Sequence, residues 1–283
     1  MMIRSAVLMT IMFFAIACQP AHGDIMGFGN GSGYTLNSLI TPGPSINNGT
    51  LTLTTNSQAN QSASAFYNIR QSTGSFTAVF TYQGVGTADG VTFVMQNDPH
   101  GLNALGSLGS GLGYAATGGN PQIIVNSVGL QIDLYTFTGG PGTYLGTQGA
   151  SGIFNYLSTL PVNFSTGDPI QFTVTYDANA QTLREVLVDT LSPATTYSHT
   201  FTGINIASQV GSNSAYVGFT GGTGGLSSTQ TISGFLFQSA PVPEPSSLTL
   251  LGLGCAALAG WRWWRRNAGE GRGNLLPGEA LCF

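Results

Sequence analysis

Between Asp24 and Ala240 the chain alternates apolar and polar residues with a period of two. Phe76, Ala78, Phe80 and Tyr82 point one way while Thr77, Val79 and Thr81 point the other. Residues 91–95 (Val-Thr-Phe-Val-Met) form a second such segment. Leu130, Ile132 and Leu134 alternate with Gln131, Asp133 and Tyr135, and Ile170, Phe172, Val174 and Tyr176 alternate with Gln171, Thr173, Thr175 and Asp177. Residues 183–189, 216–220 and 231–238 complete the set. Successive side chains of a strand fall on opposite faces, so alternation enriched in Phe, Tyr, Val and Thr predicts antiparallel sheet. Asp177-Ala178-Asn179-Ala180 and Thr87-Ala88-Asp89-Gly90 mark hairpins or tight corners. The glycine-rich stretches 101–119 and 221–225 read as loops. No ten-residue stretch between the termini carries helical periodicity, and no internal repeat is present. The prediction is an all-β chain folded as an antiparallel β-sandwich of the jelly-roll kind.

The two ends follow other rules. Arg4 precedes an apolar run from Ala6 to Ala17 and the small-residue sequence Ala21-His22-Gly23, which reads as a secretory signal peptide over 1–23. Cys18 follows Ala15-Ile16-Ala17 and lacks the Leu that a lipoprotein box carries three positions earlier. At the other end Val242-Pro243-Glu244-Pro245-Ser246-Ser247 leads into an apolar segment from Leu248 to Gly260 and then Trp261-Arg262-Trp263-Trp264-Arg265-Arg266. Prolines stop a preceding strand, and Trp and Arg hold a membrane interface. About thirteen apolar residues are short for a permanent span and suit a transient one. Residues 241–266 resemble the PEP-CTERM sorting signal of Gram-negative bacteria, which implies an exosortase partner and a cell-envelope, surface or extracellular-matrix destination. Residues 267–283 remain unassigned.

Composition narrows the middle further. Charged residues make up 6% of the 283, Lys is absent, and four of the seven Arg lie beyond position 260. Eight acids (Asp24, Asp89, Asp98, Asp133, Asp168, Asp177, Glu185, Asp189) face Arg70 and Arg184 between 24 and 240, a net charge of −6. Nucleic-acid binding needs a basic face, so it is excluded. Cys18, Cys255 and Cys282 all lie in the terminal segments, so the central domain relies on its core without disulfides.

Four motifs then fall in order: Ala88-Asp89-Gly90, Leu108-Gly109-Ser110-Gly111-Leu112-Gly113, Leu130-Gln131-Ile132-Asp133-Leu134-Tyr135, and Val217-Gly218-Phe219-Thr220-Gly221-Gly222-Thr223-Gly224. Together they resemble the legume-type (L-type) lectin domain over most of 28–238. The resemblance implies a concanavalin-like sandwich with a shallow sugar site. It assigns carbohydrate binding to Asp89, to the loop amide at Ser110 or Gly111, and to the closing loop Gly222, Thr223 and Gly224. It also implies a cis peptide before Asp89. A carboxylate accepts strong hydrogen bonds from sugar hydroxyls, and glycine lets backbone amides come close. On the residues alone Asp89 reads equally as a turn residue bonding its own loop; the resemblance favours the site. Tyr114 or Tyr135 would offer the stacking face, since all three Trp lie in the tail.

The metal pair of that family is where this chain departs. Gln131 stands in the Glu position, Asp133 is kept, Phe137 stands in the Asn position, and the second Asp falls near Pro141. Calcium takes six or more oxygens, and a neutral Gln is a poor transition-metal ligand. The expectation is a lost site, or a weak calcium site on Asp133 and the Tyr135 carbonyl. Asp133 reads equally as a buried polar residue. Laminarinase-type hydrolases share this fold and carry three acids on one strand; here those positions are Gln131, Asp133 and Tyr135, so both catalytic carboxylates are missing. His100 and His199 have no nucleophile motif nearby and read as surface residues, and Glu185 sits in an otherwise plain strand. The chain reads as a non-enzymatic binder of a glycan or exopolysaccharide, or as a structural surface protein that keeps only the sandwich.

Overall fold

The computed structural model describes residues 24–117, 122–240, 258 and 260–262. The expected signal peptide with Cys18, and most of the sorting signal and residues 267–283, lie outside the described residues. The chain divides at Ala240 and Pro241 into two units. Among the described residues no helix is long and apolar enough to cross a membrane.

In chain order the strands are β1 (Ile25–Met26), β2 (Tyr34–Ser38), β3 (Ser45–Asn47), β4 (Thr50–Thr54), β5 (Ser62–Tyr67), β6 (Gln71–Ser72), β7 (Phe76–Gly86) and β8 (Gly90–Gln96). Then come β9 (Ser127–Asp133), β10 (Gly142–Thr147), β11 (Leu157–Ser158), β12 (Ile170–Asp177), β13 (Thr182–Asp189), β14 (Thr196–Thr202), β15 (Ser214–Gly222) and β16 (Ser228–Ser239). A short helix, α1, spans Ile206–Val210. A back sheet runs β14-β13-β12-β7-β16-β4-β3 with β1 added to β16, and a front sheet runs β11-β10-β9-β8-β15-β5-β2 with β6 added to β15. All pairings are antiparallel, and the two eight-stranded sheets form a concanavalin-like β-sandwich.

Alternation explains the back sheet directly. β7 and β12 bury every second residue, so one face meets the core and the other meets water. Phe80 of β7 stacks on Phe172 of β12 at 5.1 Å and meets the edge of Phe219, from the front sheet, at 5.0 Å. The front sheet differs: every residue of β8 and of β9 is buried. Val91, Phe93, Leu130 and Ile132 enter the main core, while Val94 packs with Tyr114, Ala115 and Ile124 in a second cluster made by the long connection after β8.

The two turn segments separate into types. Asp177–Ala180 is a hairpin, its Asp177 Oδ1 accepting from the amides of Asn179 and Ala180. Residues 87–89 form a corner carrying the chain from the back sheet to the front one. Two expectations need correction. Gly221 and Gly222 belong to β15 and not to a loop, because a neighbouring loop lies directly on this strand end: a Cβ on Gly222 would stand 2.8 Å from the Gly109 carbonyl oxygen. Glu185 is not a plain strand residue. It is fully buried between the sheets, Oε1 accepts from the Thr143 hydroxyl, and Oε2 has no hydrogen-bond partner.

Candidate functional site

Strand register assembles the site. β8 lies between β9 and β15, and its first residue, Gly90, pairs with Asp133 on one side and Gly222 on the other. The residue before β8, those after β9 and those after β15 therefore converge at one end of the front sheet. Asp89 is fixed there by its own backbone: its N–H donates to the Gly222 carbonyl at 3.2 Å, and its carbonyl accepts from the Leu134 N–H at 2.9 Å. The Ala88–Asp89 peptide is cis. A loop from the connection after β8 closes over the same end, with the Gly109 N–H donating to the Thr223 carbonyl at 3.0 Å and the Thr220 hydroxyl to the Leu112 carbonyl at 2.7 Å.

The result is a cleft of about 460 Å³. Its polar lining comes from Asp89, Gly109, Ser110, Thr117, Thr138 and Gly224, and its apolar lining from Leu108, Tyr135, Phe137, Ile153 and Phe154. Asp89 is 4% exposed and its Oδ2 has no hydrogen-bond partner. Burial pushes this carboxyl up to about 6, with the Gly224 amide pulling the other way. It is therefore mostly charged above about pH 6, with Oδ2 lacking a hydrogen-bond partner. Two glycines frame it: a Cβ on Gly224 would come within 3.3 Å of Oδ2, and one on Gly109 within 3.9 Å.

Of the six residues singled out in the sequence, Asp89, Ser110 and Gly224 line the cleft. The other three are engaged elsewhere. The Gly111 N–H donates to the Leu108 carbonyl, the Gly222 carbonyl receives the Asp89 amide, and the Thr223 hydroxyl accepts from the Gln61 backbone amide at 3.1 Å. Tyr114 is fully buried, its hydroxyl within 3.2 Å of the Gly146 carbonyl, and so offers no stacking face. Tyr135 does line the cleft. Gly109, Phe137 and Phe154 are among the lining residues that the motifs do not single out. Gly109 lies within a motif that was read, whereas Phe154 comes from a separate connection that no local pattern links to Asp89.

The model of the legume lectin domain family matches residues 26–251. The chain belongs to the legume lectin family. The PEP-CTERM protein-sorting motif matches residues 241–266, marking an exported lectin-like protein. Among curated proteins, none matches the chain in sequence. The winged bean acidic lectin solved with methyl-α-D-galactose superposes with a TM-score of 0.61 at 20% identity, over 76% of this chain and 97% of its own. Arcelin-5, a lectin-like defense protein from Phaseolus vulgaris, gives 0.57 at 17% identity over 77% and 97%. The metal-free form of lectin I-B4 from Griffonia simplicifolia gives 0.56 at 18% identity over 73% and 93%.

In this lectin domain the residues at the family's metal position do not fit a metal pair. Asp133 Oδ1 accepts from the Tyr135 amide at 3.0 Å, and Oδ2 accepts from the Thr138 hydroxyl. Thr138 Oγ1 also lies 2.8 Å from the Tyr135 carbonyl oxygen, so one hydroxyl sits between that carbonyl and Asp133 Oδ2, two of the three oxygens named for calcium. Burial pushes the Asp133 carboxyl up to about 7, opposed by those two hydrogen bonds. Gln131 is spent as well: its amide donates to the Ala150 carbonyl at 2.8 Å and its Oε1 accepts from the Gly152 amide at 3.0 Å. The Phe154 amide in turn donates to the Thr138 carbonyl at 2.8 Å. Hydrogen bonds within the chain thus fasten both loops that carry the aromatic lining. Among the described residues no group of three His, Cys, Asp or Glu is placed to hold a metal ion.

Proposed function

We propose that this chain is an exported glycan-binding protein of the cell envelope, cell surface or extracellular matrix of a Gram-negative-type bacterium, working without a metal and without catalysis. The observation that carries the reading is the unpartnered Asp89 Oδ2 at the floor of a glycine-framed cleft. A buried carboxylate oxygen without a donor costs free energy, and a saccharide hydroxyl supplies that donor. Ser110, Gly224 and the aromatic ring of Tyr135 line the same cleft. The sorting signal supports release or anchoring at the envelope by an exosortase, with the apolar segment holding the membrane until then.

The test is a glycan array followed by titration calorimetry on wild type and Asp89→Ala. Wild type is expected to bind at least one glycan. Asp89→Ala is expected to weaken binding roughly 10- to 100-fold, the size of one hydrogen bond to a charged acceptor. Its fold should persist, because Oδ2 makes no bond within the domain. Wild type that binds no glycan would leave the sandwich a structural surface scaffold.

A further inference from the structure

Resting on that reading, we infer that residues 55–61, the connection from β4 to β5, are a clasp that sets residues 223–227 for the ligand, with Gln61 as the positioning residue. Gln61 does not line the cleft and is 4% exposed, yet all its polar atoms are engaged. Its Oε1 accepts from the Thr55 amide at 2.8 Å, and its Nε2 donates to the Thr55 carbonyl at 2.7 Å and the Gln58 carbonyl at 2.6 Å. These bonds fold the connection back on itself. Others cross to the segment between β15 and β16. The Thr223 hydroxyl accepts from both the Gln61 amide and Gln61 Nε2, each at 3.1 Å. The Gln61 carbonyl accepts from the Thr223 N–H at 2.9 Å, and the Asn60 N–H donates to the Gly224 carbonyl at 2.7 Å.

The other end of that segment is held by the same connection. The Ser227 hydroxyl lies 3.0 Å from both the carbonyl and the side-chain oxygen of Asn56, and the Asn56 amide donates to the Thr229 hydroxyl at 3.0 Å. Residues 223–227 are therefore tied at both ends to one stretch of chain. What hangs from the tie is the frame around Asp89. The Thr223 carbonyl accepts from the Gly109 N–H at 3.0 Å, and Gly224 is the next residue. Gly109 and Gly224 are the two glycines that flank Asp89 Oδ2. Gln61 thus acts on the carboxylate's surroundings through Thr223, although it lies outside the cleft. A loop ordered before the ligand arrives costs less entropy on binding than one ordered by it. The clasp supplies that order with neutral hydrogen bonds alone.

Two substitutions in the full-length protein test this. Gln61→Met keeps the length and roughly the volume of the side chain and removes its hydrogen bonds. Thr223→Val removes the hydroxyl that receives two bonds from Gln61. Each should weaken binding of the best array glycan about tenfold in calorimetry, the scale of ordering a few groups that are no longer preset. Both break the same tie, so the double variant should lose little more than either single one. Thr223→Ser keeps the hydroxyl and should bind within about twofold of wild type. Hydrogen exchange separates a loosened loop from a weakened fold. In Gln61→Met and Thr223→Val the amides of Gly109 and Thr223 should exchange at least about tenfold faster, with those of β7 and β12 unchanged. Full affinity in both variants, losses that add in the double variant, or loop amides that exchange at the wild-type rate would overturn the inference while leaving glycan binding in place. Faster exchange throughout the sandwich would also overturn it, since that marks a purely structural role. Failure of wild type to bind any glycan would instead overturn the glycan-binding reading on which it rests.

Discussion

Gly90→Ala is expected to unfold the sandwich at the end where the cleft forms. A Cβ at this position would stand 2.1 Å from the Ile132 carbonyl oxygen and 3.0 Å from the Asp133 Cα. Both obstacles are backbone, so no side-chain rotation relieves them. Gly90 is also paired on both sides, with Asp133 and Gly222, so moving away from β9 drives β8 into β15. Overpacking a fitted interior costs about 1–3 kcal/mol and more when the backbone must shift. At roughly 2–4 °C per kcal/mol for a domain of this size, a cost at the upper end of that range lowers the melting temperature by about 6–12 °C, with glycan binding lost. Gly225→Ala is the control, because nothing lies within 4 Å of a Cβ there, and it should change stability by less than about 0.5 kcal/mol. Thermal unfolding followed by circular dichroism decides the matter; a Gly90→Ala protein that melts with wild type would show that the three strand ends do not meet as described.

The second large effect is on stability against pH. Glu185 is buried between the sheets with one oxygen on Thr143 and the other unpartnered, and burial pushes its carboxyl from the usual 4.5 up to about 7. A folded-state value above the unfolded one means that the native protein binds this proton more tightly. The resulting stability is complete below about pH 4.5 and is lost as pH rises through about 7. Asp89, up to about 6, and Asp133, up to about 7, act in the same direction. The domain should therefore melt at a higher temperature at pH 5 than at pH 8. Glu185→Gln removes the charge but keeps an oxygen for Thr143. It should raise the melting temperature at pH 8 by several degrees, on the order of 2 kcal/mol, and change little at pH 5. Melting curves of both proteins across this range check the sign. A wild type more stable at pH 8, or a variant with the same slope, would contradict the burial of an uncompensated carboxyl.

Much of the architecture was legible because alternation is a local signal. β12 coincides with the segment read at 170–177, and β7 and β16 extend the segments read around them. Strands such as β5 (Ser-Ala-Ser-Ala-Phe-Tyr) and β14 (Thr-Tyr-Ser-His-Thr-Phe-Thr) are mostly small or polar and carry only a few large apolar residues to mark them as strands. Alternation also names two faces without saying which will be covered. Val94 and Gln131 point away from the main core, yet both are buried because long connections fold over the front sheet. The site divides in the same way. Asp89, Ser110 and Gly224 lie within motifs, whereas Phe154 reaches the cleft from a separate connection. Asp133 was visible as a carboxylate; that Thr138, five residues on, would satisfy it was not, because a hydroxyl substitutes for a cation only where the turn geometry brings it there.

The central claim is that hydrogen bonds within the chain hold the sugar loops in place, with no ion required. Titration calorimetry of protein exhaustively treated with EDTA, against the best glycan from the array, tests it most directly. Wild type should retain its affinity within about twofold, unchanged by added calcium or manganese, while Asp89→Asn should lose at least tenfold. Affinity that vanishes on chelation and returns with the metal would contradict it.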